Sequence, residues 1–372
     1  MAAASLALLF GLVAVPTAAP AAAAGPEAGR VCAPSDALHF VCGAERPEDL
    51  APIPGTHWLI ASGFSPGAGL KLVDTRTRNL SRWFEGRPDQ ILFDRARYPH
   101  CPGPVDAALL TPRGLSLRTL GSGRYRLLAV NHGGRESVEI FDVDARSARP
   151  RLVWRGCLPL PAGHVGNSVA SWSDGTVLVT VLTRPGTDIA DFLRGQRTGA
   201  VYEWRPGADR FALIRGTELP GNNGLETSPD DRFFYVAAFG WHSILVYDRD
   251  RPHEPLHTIL APDFMPDNIH WSGGRLLTAG MRYDEPACGG LRRIVDGIAD
   301  PMACHRGYVI AELDPATGRL SKLVESGPDP SFNGVSAAAI IGNALWIGSY
   351  QADRIAYRPL PSKFGKTRTA GP

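Results

Sequence analysis

Phe233-Phe-Tyr-Val-Ala237, closing at Leu245-Val-Tyr-Asp248, is the stretch that decides the fold. It is a β-branched and aromatic run with period-two alternation. The turn signal Ser228-Pro-Asp-Asp231 precedes it, and a second strand ends on an aliphatic-x-aromatic-Asp pattern. The alternation, Phe233-Tyr235-Ala237 against Phe234-Val236, reads as that of half-buried strands.

The same pattern recurs on both sides. Towards the N-terminus it appears as His57-Trp-Leu-Ile-Ala-Ser to Leu72-Val-Asp74, Leu127-Leu-Ala-Val to Glu139-Ile-Phe-Asp142, and Thr176-Val-Leu-Val-Thr to Val201-Tyr-Glu-Trp204. Towards the C-terminus it appears as Arg275-Leu-Leu-Thr-Ala to Ile310-Ala-Glu-Leu-Asp314 and Ala344-Leu-Trp-Ile-Gly to Arg354-Ile-Ala-Tyr357. Six copies at roughly 40–65-residue spacing, each worth a small antiparallel sheet, predict a repeat architecture. The expected fold is all-β, a six-bladed β-propeller of four-stranded blades around a central channel. Turn chemistry at Gly121-Ser-Gly123, Ser173-Asp-Gly175 and Ser272-Gly-Gly274 separates the strands, and one helical turn is expected within Thr187 to Gly195.

The expected organisation is a signal peptide over 1–24, an N-terminal lead-in over 25–47, the propeller over 48–360 and a basic tail over 361–372. The first of these has an apolar run from Leu6 to Val15 and small residues ending at Ala24, and it lacks a basic start. An uncleaved anchor is the alternative. No membrane span is expected in the mature chain, which is read as secreted or periplasmic. Six cysteines in an exported chain favour disulfides, and the sequence-local pairing is Cys32 with Cys42, Cys101 with Cys157 and Cys288 with Cys304. The formal net charge of +2, with no basic stripe, speaks against a nucleic-acid partner.

The chemistry is sought at one phase of the repeat, just before each inner strand. Those positions hold Glu48-Asp49, Arg113, Asn167, Asn223, Asp267-Asn268 and Asn333. Any one of them alone is an ordinary turn residue. The set, converging at the mouth of a channel, offers carboxylate and amide oxygens without thiols or clustered imidazoles, a donor set that suits calcium.

Leu128-Ala-Val-Asn-His132 through Val138-Glu-Ile-Phe141, Asn223-Gly-Leu-Glu-Thr-Ser-Pro-Asp230 and Pro266-Asp-Asn-Ile269 resemble the paraoxonase/arylesterase family. That family is related to gluconolactonase/regucalcin-type and strictosidine-synthase-like propellers, and the likeness runs from about Glu48 to Ile355. The resemblance implies a calcium-dependent hydrolase acting on lactones, aryl esters or both, with a small-molecule substrate. Calcium would be held by Glu48, Asn167, Asn223, Asp267 and Asn268, and four of these also suit the quartet of gluconolactonase-type relatives. His132 or a ligating carboxylate such as Asp267 would be the base.

The departures from the family are specific. Arg113 stands where the family has a second histidine. It is expected to keep His132 neutral, or to bind a substrate carboxylate or oxyanion. Asp49 could serve a second ion, but Ser168 stands where the resemblance implies its partner aspartate. His242, Met281 and Asn333 are candidate pocket residues, whereas His270 is expected to turn away from the axis into packing. No G-x-S-x-G elbow is present to support a serine nucleophile. Two competing readings stay open: a secreted, non-catalytic, calcium-stabilised binding propeller, and condensation chemistry with Glu226 as its acid.

Overall fold

The computed structural model describes residues 32–35 and 37–361. The expected signal segment and the basic tail beyond 361 lie outside the described residues. Six four-stranded antiparallel sheets form the blades of a propeller. Their innermost strands are Leu50–Pro52, Pro112–Gly121, Val165–Ser171, Asn222–Thr227, Ile269–Ser272 and Val335–Ile341. Each inner strand neighbours the next around the ring, and the sixth neighbours the first.

Ring closure uses the N-terminus. His39–Cys42 pairs antiparallel with Arg354–Pro359, from His39 opposite Tyr357 to Cys42 opposite Arg354, and so becomes the outer strand of the sixth blade. Part of the lead-in is therefore a blade strand. Phe40, only 1% exposed, anchors it against Phe332 at 5.8 Å between ring centroids. Pairing the first and last described strands in one sheet locks the circle.

The alternation in Phe233–Ala238 has a different cause from the one expected. Phe234, Val236 and Ala238 pack with Trp172, Leu178 and Val201 of the third blade. Tyr235 and Ala237 pack with Ile269, Leu276 and Leu313 of the fifth. Both faces are buried, because every blade lies between two others. The period of two sorts residues between two inter-blade cores rather than between core and water.

The three sequence-local disulfides are all formed. Cys32–Cys42 tethers the closing strand, and Cys101–Cys157 ties the connection after the first blade to the outer strand of the second. Cys288–Cys304 crosslinks the long excursion inside the fifth blade, which carries the small hairpins Asp284–Glu285/Gly290–Leu291 and Ile294–Val295/Ile298–Ala299. Three disulfides suit an oxidising compartment. The expected helical turn is Ile189–Leu193, with Asp188 and Asp191 forming a reciprocal capping box at 3.0 Å each way. Among the described residues, no helix is long and apolar enough to cross a membrane.

Closure by one short strand makes Phe40 a test of the architecture. Phe40→Ala should lower the free energy of unfolding by about 3–5 kcal/mol, read from guanidinium titration. A loss below about 1 kcal/mol, the level of an ordinary surface change, would show that the ring does not depend on this anchor.

Candidate functional site

The inner strands are irregular where they begin, and the irregularity builds the site. Pairing between first and second strands skips from Pro112 to Leu115, from Gly166 to Val169 and from Asn222 to Leu225. Each skip is a bulge spanning a two-residue unit: Arg113-Gly114, Asn167-Ser168 and Asn223-Gly224. A bulge re-aims a side chain at the cost of local pairing. Here the first residue of each unit lines an axial chamber of about 170 Å³. The second meets the adjacent blade. A Cβ on Gly114 would fall 2.4 Å from the Asn167 carbonyl oxygen, and one on Gly224 2.2 Å from that of Asp267. Asn223-Gly224 is therefore a close approach between blades and not a hairpin turn. The Gly224 amide donates to the Asp267 carbonyl across that gap at 3.1 Å.

Glu48, Asn167, Asn223 and Asp267 come from four different blades and line this one chamber. Asn268 sits directly beneath and donates from Nδ2 to Glu48 Oε1 at 3.0 Å. All five side chains are at most 6% exposed. Each carries a buried oxygen without a hydrogen-bond partner: Glu48 Oε2, Asn167 Oδ1, Asn223 Oδ1, Asp267 Oδ1 and Asn268 Oδ1. Isolated orphans of this kind are rare in folded proteins. Burial raises Glu48 to about 8, with the Asp49 charge adding and Asn268 and Arg113 opposing. Asp267 is likewise held well above the usual carboxylate range by burial, then by the charges of Glu48 and Asp49. Among the described residues no three His, Cys, Asp or Glu side chains form a metal-sized group. The gathered set is two carboxylates and three amides.

Arg113 lies over Phe64, its Cζ 3.3 Å from the ring centroid, and among the described residues its side chain makes no hydrogen bond. Burial lowers its pKa to about 10, so it stays charged at neutral pH. His132 stands beside Arg113, outside the residues that line the chamber. Its Nδ1 is 2.5 Å from Glu136 Oε1, and its buried Nε2 has no partner. With Nδ1–H donating to Glu136, the lone pair sits on Nε2. Burial keeps His132 below its ordinary pKa, Glu136 pulls it up and Arg113 pushes it down. The sequence reading missed Glu136, although its i,i+4 spacing from His132 across a hairpin was available.

The candidate pocket residues take other places. Met281 is fully buried under the chamber, facing the Tyr350 hydroxyl at 3.6 Å. His242 adopts a left-handed backbone (φ 47°) and packs on Tyr283, away from the lining. Asn333 has its side chain engaged: Oδ1 accepts from the Arg306 amide, and Nδ2 donates to Met302 O and Gln351 Oε1. It positions two chamber residues that the sequence did not single out, Met302 and Gln351. Phe192 of the short helix and Arg292 and Pro301 of the excursion complete the upper wall.

Asp49 belongs to a different cluster. Its Oδ1 accepts from the Leu50 amide (2.8 Å) and meets His270 Nε2 (2.7 Å), and its Oδ2 accepts from the Leu115 amide (2.7 Å). His270, expected to serve in packing, has polar partners instead. It lies between Asp49 and Glu226, with Nδ1 3.9 Å from Glu226 Oε2. Burial works against its charge, yet the two carboxylates hold its pKa up at about 10.

No family model matches the chain, and no curated protein matches it. Among solved structures, luciferin-regenerating enzyme superposes with a TM-score of 0.51 at 13% identity, over 86% of this chain and 93% of that one. The calcium-binding protein regucalcin from Agrobacterium tumefaciens superposes at 0.49 and 12%, over 88% and 94%. The PQQ-bound aldose sugar dehydrogenase from Streptomyces coelicolor gives 0.47 and 15%, over 85% and 95%. At this identity the first likeness speaks to the fold alone, and the other two are too distant to add to it. None places the chain in the paraoxonase/arylesterase family.

The His270 cluster has a pH signature. A folded-state pKa above the ordinary 6.5 means that its stabilisation is complete below pH 6.5 and is lost as the pH rises towards about 10. His270→Leu, which leaves Asp49 buried without its cation, should cost about 3–5 kcal/mol at pH 6. The gap to wild type should narrow in denaturant titrations as pH approaches 10. A gap of constant size across that range would contradict a charged His270.

Proposed function

We propose that this chain is a calcium-dependent hydrolase of lactones, aryl esters or both. The observation that carries the reading is the set of five buried, unpartnered side-chain oxygens at the channel mouth. Leaving such atoms unsatisfied costs on the order of 1–3 kcal/mol each, so the arrangement calls for a shared ligand. The set consists of hard oxygen donors only. Two of its members are acids whose raised pKa values a divalent cation would reverse, and calcium tolerates the irregular geometry that amide ligands impose. Glu48, Asn167, Asn223 and Asp267 would hold it, with Asn268 completing or supporting the shell.

Calcium bound there would supply Lewis-acid polarisation of a substrate carbonyl and charge stabilisation of the oxyanion. The chain's own residues supply the rest. Phe64, Leu182, Phe192, Phe239 and Met302 offer an apolar wall for the acyl or aryl part. His132, kept neutral beside Arg113 and oriented by Glu136, takes a proton from water at Nε2 as the hydroxide adds to the carbonyl carbon. The same proton returns to the alcohol oxygen as the ester bond breaks. Asp267 is the alternative base. One observation favours the second reading, a non-catalytic binding propeller: His132 is outside the chamber lining. Calcium binding without turnover on a panel of lactones and aryl esters would select that reading.

Two outcomes follow from the hydrolase reading. Excess chelator should abolish turnover, and Asn223→Ala or Asp267→Ala should weaken calcium binding by calorimetry together with activity. Full activity in chelator would falsify the proposal. Glu136→Gln should lower kcat by about 10²- to 10⁴-fold, the usual range for impaired general-base catalysis. The acidic limb of the pH–rate profile, already below the ordinary imidazole value, should move to still lower pH, because the carboxylate that raises the His132 pKa is gone. An unmoved limb would assign the base to another group.

A further inference from the structure

Arg113 is the anomaly of its neighbourhood. Arg118, on the same strand, meets Asp231 Oδ1 at 3.0 Å, and Arg126 on the next strand meets Asp142 at 2.8 Å. Arg135 grips Glu139 with two nitrogens at 2.8 and 3.0 Å. Arg113 has no carboxylate within ion-pairing distance and no hydrogen bond among the described residues, and its Nε is buried without an acceptor. With its Cζ over the Phe64 ring and no acceptor taken among the described residues, it has a donor edge free for a ligand.

The charge balance of the chamber points the same way. Its titratable lining is Glu48 and Asp267 against Arg113 and Arg292, with Tyr350 neutral because burial pushes its pKa above the ordinary range. Arg292 spends its Nε on the Asp300 carbonyl at 2.8 Å and has no carboxylate in ion-pairing range among the described residues. A divalent cation on the two acids leaves Arg113 with only the more distant Glu136 charge and Arg292 with only that of Asp300, neither within ion-pairing distance, in a partly desolvated space. Such a space selects a negative charge on the ligand. A carboxylate presents two coplanar oxygens, which match a guanidinium edge.

We infer that Arg113 is a carboxylate clamp, so that the chamber prefers ligands and substrates bearing a free carboxylate over their neutral counterparts. This deepens the hydrolase reading by naming a substrate class. Because the clamp acts in binding, it can be tested without turnover.

The test uses hexanoate and hexanamide as inert, size-matched probes, titrated calorimetrically into calcium-loaded full-length protein. Hexanoate should bind about ten- to a hundredfold more tightly, the range of a charge-assisted hydrogen-bonded pair. Arg113→Met should erase that preference, and Arg113→Lys, which keeps the charge but not the fork, should restore part of it. If Arg113→Met misfolds, the Lys variant still decides: a preference undiminished by losing the fork would overturn the clamp. Equal binding of the two probes to wild type would also overturn it, as would a preference surviving in Arg113→Met, which would assign the anion to the metal instead. A carboxylate preference without any ester turnover would defeat the hydrolase reading alone. Turnover with no such preference would defeat the clamp alone.

Discussion

The structure depends on how closely six inner strands approach one another at the axis. Their backbones are in contact there, and the contacts are specific. Asp49 Oδ2 takes the Leu115 amide, and Ser168 Oγ takes the Leu225 amide at 3.2 Å. The Gly224 amide donates to Asp267 O, the Asn268 amide to Ser336 O, and the Ser336 hydroxyl to Glu48 O at 2.6 Å. Each hydrogen bond passes from one blade to the next, so the site is held by the ring itself rather than by any single blade. Gly114 and Gly224 are demanded by this crowding, since a side chain at either would collide with the neighbouring backbone. The bulges are its other consequence. A regular strand would alternate its residues between the two flanking blades, and only a break in register lets Asn167 or Asn223 face the channel.

That geometry is expensive. It places Glu48 and Asp267 in a desolvated space together, where burial raises both pKa values and the Glu48 charge raises that of Asp267 further, and it strands amide oxygens that water would otherwise satisfy. The inter-blade cores, with Trp154, Trp172 and Trp346 fully buried, supply the apolar burial that offsets the cost. A fold whose stability lies between blades can tolerate an electrostatically strained axis, because the strained residues are few and their backbones are fixed from both sides.

The sequence displayed the fold through period and phase. Six recurrences of a strand-rich unit identify the ring, and equal phase within them located Glu48, Arg113, Asn167, Asn223 and Asp267, which the structure brings to one chamber. The cysteines also paired as their spacing suggested. What was hidden depends on neighbours that a linear pattern does not encode. Period two identifies a strand but does not say whether its outer face meets water or another blade, which is why the Phe233–Ala238 alternation was misjudged. His270 looked like packing because its partners, Asp49 and Glu226, are respectively 221 and 44 residues away in the chain. Arg292, Met302 and Gln351 reach the chamber from irregular connections, where no periodicity points inward.

Floor and wall of the chamber therefore have different origins and different freedom. The oxygen-bearing floor comes from bulged strand starts, where a change of residue or register would disturb two blades at once. The wall comes from Phe192 on a five-residue helix and from Arg292, Pro301 and Met302 on a disulfide-crosslinked excursion, which packs on that helix through Ile298–Ala299. Substitutions in the wall alter what fits without touching the axial hydrogen bonds. Two half-buried cations near the axis, His270 and Arg113, follow the same division. His270 sits below the floor, fixed between two carboxylates, and belongs to the scaffold. Arg113 rises from the floor with its donor edge unspent, which is the position from which a charged side chain acts on a ligand.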